Sequence, residues 1–363
     1  MPVCLLCFKR LISMKRFLKN NLFLMTILFT SCHNSEKFEN ASLFSFEDFI
    51  ITTKLHATTI EFEEIIMRPL FFIKSDSLLI VQNIRSNNML YVFNINSRKK
   101  VGEFISFGSG PNDLLTIKNI QLAGSDLYIT DNQKKTINNY NIADFHSLTS
   151  GMNPIKKVMI DDYFTNLAYL KDGYVATAIN ADNRRLTFYN SKGEKAFSAG
   201  EYPNFGKELT IFEKTESFTS AMTVCPKYER IYLFGMNTDL IEIYDFQGIL
   251  IKRIHGPEQI FPHVREIATE DGFVRVSPQN PKYAFFSPVV LDDEVYVSYS
   301  GNHKTQYEEV PTIQQIFVFD LDCNPLRRYE LSKPIISFTV DPETKNIFAT
   351  SNVPDYHFIV FEQ

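Results

Sequence analysis

The sequence predicts an all-β fold, a six-bladed β-propeller of four-stranded blades whose ring is closed by an N-terminal strand. Three observations predict it: a composition rich in strand-forming residues, a strand motif that recurs six times, and a spacing typical of one blade. The chain has 33 Phe and 17 Tyr but only 14 Gly among 363 residues, which favours strands. A hydrophobic content of 44% and a charged content of 22% indicate a globular protein.

The recurring motif is a short strand that ends in Asn, Asp or Glu. Its copies read LYVFN (90–94), INNYN (137–141), LTFYN (186–190), IEIYD (241–245), IFVFD (316–320) and FIVFE (358–362). Five copies have an aromatic residue directly before the polar one and an apolar residue two places before it, whereas the second copy has Asn139 at the earlier position. This period-two alternation predicts a β-strand.

Each copy occupies the third place in a unit of four strands. Two strand-like runs precede it, and a tight turn and a fourth strand follow it. Successive copies are 42 to 55 residues apart, except for one interval of 75 residues that contains an insertion at 256–283. Because the chain ends on the third strand of the last unit, we expect residues 54–66 to supply its fourth strand and close the ring.

The stretch FGSGPNDL (107–114) tests whether the chain carries a phosphate-binding loop. A Walker loop requires Gly-Lys-Ser/Thr leading into a helix. Here Pro111, Asn112 and Asp113 stand in those places and another strand follows. We therefore predict a turn between blades one and two.

The N-terminus has the pattern of an export signal. Residues 1–31 contain basic residues, then an apolar run too short for a stable membrane span, then small residues before Cys32. We expect Met14, rather than Met1, to be the true start of the chain. Thr30, Ser31 and Cys32 are similar to a bacterial lipobox, in which the cysteine is lipidated. We expect a lipidated tether at 32–41 and the propeller at 42–363; the alternative is an ordinary signal peptide cleaved nearby.

The net charge and the cysteine positions indicate whether the chain binds nucleic acid and whether it contains a disulfide. Residues 1–31 hold five basic residues and no acidic ones, so their removal changes the net charge from −5 to −10. An acidic chain without a polybasic stretch is not expected to bind nucleic acid. Cys225 and Cys323 could form one disulfide, although isolated strand positions are favoured.

The lipobox, the six VFN/IYD-type third strands and the G-x-G-P-N-D turn together resemble the TolB-like six-bladed β-propeller lipoproteins of Bacteroidetes. The resemblance covers residues 42–363. It implies a cell-envelope lipoprotein. We expect a monomer that is anchored to the outer membrane and is either periplasmic or surface-exposed. The family has no established catalytic residues, so none are transferred to this chain.

The candidate ligand-binding residues lie where second strands end, near the expected channel mouth. They are Arg85, Asp131, Asn132 and Arg184. Asn, Asp and Arg side chains bind sugars and peptides well, but they are also common in solvated turns. For any single residue the turn interpretation is favoured.

The histidines predict no metal site. No HExxH motif or Cys/His cluster is present, and we expect no cofactor. His255, His263 and Arg265 lie close together in sequence and could form a polar pocket, although a surface loop is favoured.

Two functions follow from these observations. The first is a non-catalytic propeller platform, held to the membrane by lipid, that binds a protein or glycan partner. The alternative is a propeller enzyme of the lyase or lactonase type with an active site in the central channel. Such an enzyme needs His, Asp or Glu converging from several blades, but the expected blade ends are mostly Asn, Ser and Gly. A purely structural role cannot be separated from the first, because fold alone does not decide function.

Overall fold

The computed structural model describes residues 37–64, 69–84, 86–147, 151–178, 182–268, 274–279, 281–304 and 311–363. The predicted signal peptide, Met14, Cys32 and Arg85 lie outside these residues. Within the described part of the chain, no helix is long and apolar enough to cross a membrane.

Three N-terminal strands precede the first blade: β1 (Ala41–Leu43), β2 (Ile51–Leu55) and β3 (Ala57–Ile60). Blade one contains β4 (Phe72–Ser75), β5 (Leu78–Gln82), β6 (Asn88–Asn94) and β7 (Lys99–Ser106). Blade two contains β8 (Asn119–Ala123), β9 (Asp126–Asp131), β10 (Thr136–Asn141) and β11 (Lys156–Met159). Blade three contains β12 (Phe164–Leu170), β13 (Gly173–Ala178), β14 (Leu186–Asn190) and β15 (Lys195–Ala199).

Blade four contains β16 (Ser220–Cys225), β17 (Arg230–Gly235), β18 (Leu240–Asp245) and β19 (Leu250–His255). A separate hairpin of β20 (Val264–Ala268) and β21 (Val274–Pro278) follows it. Blade five contains β22 (Phe285–Leu291), β23 (Glu294–Tyr299), β24 (Ile313–Asp320) and β25 (Pro325–Ile335). Blade six contains β26 (Ser337–Val340), β27 (Ile347–Ser351) and β28 (His357–Phe361).

The described residues also form short helices in the connections. These are α1 (Asp144–Ser147), α2 (Ile211–Ser217) and 3-10 turns at Phe46–Asp48 and Pro226–Tyr228. A capping box begins α2, because the Thr210 hydroxyl accepts the Glu213 N–H at 3.2 Å and the Glu213 carboxylate accepts the Thr210 N–H at 3.0 Å.

The six blades form a closed ring around their first strands. Each first strand contacts the next in the order β4, β8, β12, β16, β22 and β26, and β26 returns to β4. Within each blade the strands are antiparallel. One face of the ring, the loop face, therefore carries the connections between second and third strands and between blades. The other, the turn face, carries the remaining turns.

The predicted motif has a clear structural role. Its aromatic residues are buried in the blades; Tyr244 and Phe319, for example, are fully buried. Its polar residue closes the next turn: the Asp245 carboxylate accepts the N–H groups of Gln247 at 3.0 Å and Ile249 at 2.8 Å. Asn94, Asn141, Asn190 and Asp320 accept turn N–H groups in the same way.

The core lies between neighbouring blades. Phe234 of blade four and Phe285 of blade five are both fully buried, with ring centroids 5.6 Å apart. Cys225 and Cys323 belong to the same apolar cluster as free thiols. Burial raises the pKa of the Cys323 thiol well above its ordinary value.

The N-terminal segment closes the ring as predicted, and it also pairs with two other blades. β3 pairs antiparallel with β28, joining Ile60 to Phe358 and Ala57 to Phe361, and so completes blade six. β1 and β2 were not predicted: they add parallel fifth strands to β19 of blade four and β25 of blade five. The segment thus covers the outer edges of three consecutive blades.

The compact domain begins at Phe38, four residues before the predicted boundary at Ser42. The Phe38 side chain is 3% exposed and packs in a cluster with Phe205 and Phe218. The Glu39 N–H donates to the Asn204 carbonyl at 2.8 Å. Residues 38–41 were predicted to lie in the tether. They belong to the propeller instead, because Phe38 packs into its core and Glu39 hydrogen-bonds to Asn204.

The glycine-containing stretch is the predicted turn between blades. The Asp113 carboxylate accepts the Gly110 N–H at 3.0 Å. A β-carbon at Gly110 would lie 2.5 Å from that carboxylate oxygen, and one at Gly108 would lie 2.7 Å from it. Lys134 donates to the carbonyls of Gly110 and Asp113 at 2.8 and 2.7 Å. The glycines thus make room for an acid that holds the turn.

Candidate functional site

Asp131 and Asn132 lie together on the loop face and hold two loops in place. Asp131 is fully buried; one carboxylate oxygen accepts the Leu115 N–H at 2.7 Å. The other accepts the Thr116 hydroxyl at 3.0 Å and two N–H groups of the β9–β10 turn. Thr116 also lies 3.0 Å from the Asn132 side-chain oxygen. The contacts of Asp131 are structural, and a ligand role for the pair stays a prediction.

The predicted Arg184 is exposed, and its neighbour Arg185 is the buried arginine. Arg184 pairs with Glu201 at 3.2 Å near solvent. The Arg185 side chain lies 2.9 Å from Glu242 and 2.6 Å from the Ser220 hydroxyl, to both of which it donates. Adjacent residues at the start of β14 thus have opposite environments.

Arg185, Glu242 and Arg253 form a buried charge cluster between blades three and four. Arg253 donates to Glu242 at 2.8 Å and also reaches the carbonyl of Glu39 at 3.2 Å. Burial alone would raise the pKa of Glu242, but the two guanidinium charges outweigh burial and lower it. The cluster connects two blades and the N-terminal segment, which indicates a structural role.

His255 lies beneath the loop that follows blade four. Its Nε2 is 3.1 Å from Asp239 and 3.2 Å from the Ile260 carbonyl, and both side chains are buried. Asp239 accepts the N–H groups of Glu258 at 2.7 Å and Ile260 at 2.6 Å. These contacts fix the course of residues 256–260.

That loop forms one wall of a cavity of about 250 Å³ on the loop face of blades four and five. Its apolar lining includes Phe261, Pro262, Pro278 and Pro281. Its polar lining includes Ser217, Asn237, Glu258, His263, Lys282 and His303. The lining is thus about equally polar and apolar, and its polar side chains come from several connections of the loop face. We call this the blade-four pocket.

His255, His263 and Arg265 do not form the shared polar pocket that was the alternative to a surface loop. His255 is buried in its contacts with Asp239, and His263 is exposed and lines the pocket. Arg265 is exposed on β20. Because the chain turns sharply after β19, sequence proximity did not bring the three side chains together.

Ser217 lines the blade-four pocket, and Lys304 lies beside it in contact with the lining residue Asn237. Ser217 is 1% exposed, and its hydroxyl has no hydrogen-bond partner among the described residues. Lys304 borders the pocket: its ammonium group donates to the Asn237 side chain and lies 4.8 Å from the centroid of the Tyr283 ring. Burial lowers the pKa of Lys304. Glu258 and Lys282 form an ion pair across the pocket lining.

The central channel uses its polar side chains to join blades. Gln121 of β8 donates to the Tyr169 carbonyl at 3.0 Å and accepts the Tyr169 N–H at 2.8 Å. Asn119 donates to the Leu167 carbonyl at 3.1 Å. No group of three His, Cys, Asp or Glu side chains in the described part of the chain could hold a metal ion.

The family model for TolB-like 6-blade propeller-like proteins matches residues 45–343. The chain belongs to this TolB-like propeller family. No curated protein matches the chain at a significant level.

Solved structures resemble this TolB-like propeller at low sequence identity. An exported-protein candidate of Bacteroides fragilis shares 11% identity with a TM-score of 0.49, covering 89% of this chain and 99% of its own. A member of the DUF4221 family from Bacteroides vulgatus shares 10% identity with a TM-score of 0.48, covering 86% and 96%. The family assignment depends on the sequence match.

Sequence reasoning missed most of the blade-four pocket of this TolB-like propeller. Ser217 lies on α2 between blades three and four, Asn237 in the β17–β18 connection and His303 in the β23–β24 connection. The one usable signal was the long interval between the fourth and fifth motifs, which marked an insertion on the loop face.

Proposed function

We propose that this TolB-like propeller is a lipid-anchored protein of the cell envelope that binds a protein or glycan partner without catalysing a reaction. The blade-four pocket would be the binding site. The export signal and the lipobox-like Cys32 support the location. The blade-four pocket supports the binding of a partner.

The observation that carries the proposal is the buried hydroxyl of Ser217, a residue that lines that pocket, for which the described part of the chain offers no hydrogen-bond partner. A buried polar group without a partner costs about 1–3 kcal/mol, so a ligand that satisfies it gains affinity. The pocket's hydroxyl, amide and charged side chains beside Phe261 and three prolines suit the hydroxyl and amide groups of glycans and peptides.

The test measures equilibrium binding of a glycan and peptide panel to the purified protein. We expect Ser217→Ala to weaken binding about tenfold while leaving the stability of the unliganded protein unchanged or slightly higher, because it removes an unsatisfied group. Ser147→Ala, at an exposed position of α1, is the matched control. Loss of stability in Ser217→Ala with unchanged binding would make Ser217 structural and contradict the proposal.

A second pair of variants tests the pocket rim. His263 is exposed and lines the pocket, whereas His146 is exposed on α1 of blade two. We expect His263→Ala to reduce affinity and His146→Ala to leave it unchanged. Equal effects of the two variants would place the binding site elsewhere.

A further inference from the structure

Phe38, six residues after the predicted lipidation site, is buried on the loop face. Phe38 stacks on Phe261 with ring centroids 5.0 Å apart, and its ring lies 4.7 Å from that of His255. Phe261 lines the blade-four pocket. Phe38 also packs near Phe205 and Phe218, which belong to the connection between blades three and four. The chain therefore enters the propeller beside the pocket.

Chain length limits how far this point can lie from the membrane. Cys32 precedes Phe38 by six residues. Six residues of fully extended chain span at most about 20 Å. An acyl chain on Cys32 would be inserted in the bilayer, so Phe38 would lie within that distance of the membrane surface. The turn face of blade four is at the other end of its strands.

We propose that the anchored protein holds the loop face of blades three and four against the bilayer that carries its lipid. This inference depends on the proposed lipid anchor at Cys32. Its consequence is that the blade-four pocket opens toward the membrane surface, so its partner is bound there and not in the open compartment.

The side chains around the entry point suit an interface with lipid headgroups. Phe212 of α2 is 50% exposed, and Ile267 of β20 is 37% exposed. These two elements contact each other, and the exposed Lys207 and Arg265 lie on the same connections. Aromatic, aliphatic and basic side chains are typical of membrane-surface segments.

Charge alone would not hold this surface to the membrane. Lys207 and Arg265 are each adjacent in sequence to an acidic residue, Glu208 and Glu266. Opposite charges in alternation give little attraction to anionic lipid. The orientation is thus set by the short connection to the acyl chain, and we expect it to be the same on neutral and anionic bilayers.

The absence of tryptophan from the chain allows a direct test. Single tryptophans are introduced as Phe212→Trp on the loop face and Ile249→Trp on the turn face, where Ile249 is 63% exposed. The purified lipidated protein is reconstituted into phosphatidylcholine vesicles with brominated acyl chains, which quench nearby tryptophan. We expect Phe212→Trp to lose about half of its emission and Ile249→Trp to be unaffected.

Flotation of the same vesicles distinguishes a failure of the lipid anchor from a failure of the proposed orientation. Protein that does not float with the vesicles contradicts the lipid anchor and the orientation together. Protein that floats while Phe212→Trp is unquenched, or while both variants are quenched equally, retains the anchor and overturns the orientation. Ile267→Trp repeats the loop-face measurement in case Phe212→Trp does not fold.

A linker insertion provides the second measurement. Twenty Gly/Ser residues placed between Lys37 and Phe38 add a mean reach of about 25 Å. We expect the inserted protein still to float with the vesicles but to lose most of the quenching of Phe212→Trp. Unchanged quenching would show that the connection to Cys32 does not set the orientation.

Discussion

Phe38 stacks on Phe261 with ring centroids 5.0 Å apart, which joins the start of the propeller to the wall of the blade-four pocket. Phe38 is 3% exposed at the end of an otherwise polar stretch. The contact fixes the N-terminal segment before β1 joins blade four. Stability of the segment and shape of the pocket are therefore coupled.

Replacing Phe38 with Ala should destabilise the protein by about 3 kcal/mol, because it leaves a cavity among four aromatic rings. Urea unfolding of the purified protein measures the change. Phe212→Ala, at a half-exposed position of α2, should cost less than about 0.5 kcal/mol. A Phe38→Ala protein as stable as the Phe212→Ala control would show that the segment before β1 is not part of the folded core.

Glu242→Gln should destabilise the protein by about 3–5 kcal/mol, because it leaves two buried guanidinium groups without a carboxylate. The matched control is Glu201→Gln. Glu201 is 85% exposed where it pairs with Arg184, so its replacement should cost less than about 1 kcal/mol. Similar costs in the two variants, measured by denaturant unfolding at neutral pH, would contradict the structural role of the cluster.

The same cluster predicts a dependence of stability on pH. The pKa of Glu242 is lowered in the folded protein, so the folded state binds the proton less tightly than the unfolded chain does. Its contribution is complete above the unfolded value of about 4.3 and is lost as pH falls through the folded pKa. The difference in unfolding free energy between wild type and Glu242→Gln should therefore shrink toward acid pH. A constant difference throughout the acid range would show that Glu242 does not titrate as described.

Gly110→Ala should destabilise the turn between blades one and two by about 1–2 kcal/mol, because the new β-carbon displaces the Asp113 carboxylate from its hydrogen bond. The double-mutant cycle with Asp113→Ala isolates this contact. Once Asp113 is removed, Gly110→Ala should cost little. Additive effects of the two changes would mean that Gly110 is required for another reason.

Asp245→Ala should cost about 1 kcal/mol, because it removes two hydrogen bonds that close the β18–β19 turn. Asp172→Ala, an exposed acid in a first-to-second-strand turn of blade three, serves for comparison. Thermal unfolding of both variants measures the difference. Equal unfolding midpoints for the two variants would show that the polar residue of the recurring motif does not stabilise its turn.

The sequence could predict the parts of the fold that repeat locally. Buried aromatics such as Tyr244 and turn-closing acids such as Asp245 recur once per blade, and their spacing identified the propeller and its closing strand. Residue pairs far apart in sequence could not be predicted. β1 joins β19 across more than 200 residues through Ala41 and Arg253, and three residues carry no strand period of their own.

The candidate site was harder to predict, because it too depends on contacts between residues far apart in the sequence. An aspartate such as Asp131 could bind a ligand, but its carboxylate already accepts hydrogen bonds from Leu115 and Thr116 of the adjacent loop. Arg184 and Arg185 are identical in type, and only the fold decides which is buried. The sequence does not distinguish Ser217 from the other serines, because only the fold shows that its hydroxyl is buried and has no partner among the residues that the structure describes.

Affinity purification from detergent lysates of whole cells tests directly whether the blade-four pocket binds a partner. Wild-type protein, Cys32→Ala and Ser217→Ala are used as baits, and co-purifying proteins and glycans are quantified by mass spectrometry. We expect a stoichiometric partner on wild type, the same partner on Cys32→Ala, and its loss from Ser217→Ala. No partner on any bait, or a partner held equally by Ser217→Ala, would contradict a binding platform that acts through the blade-four pocket.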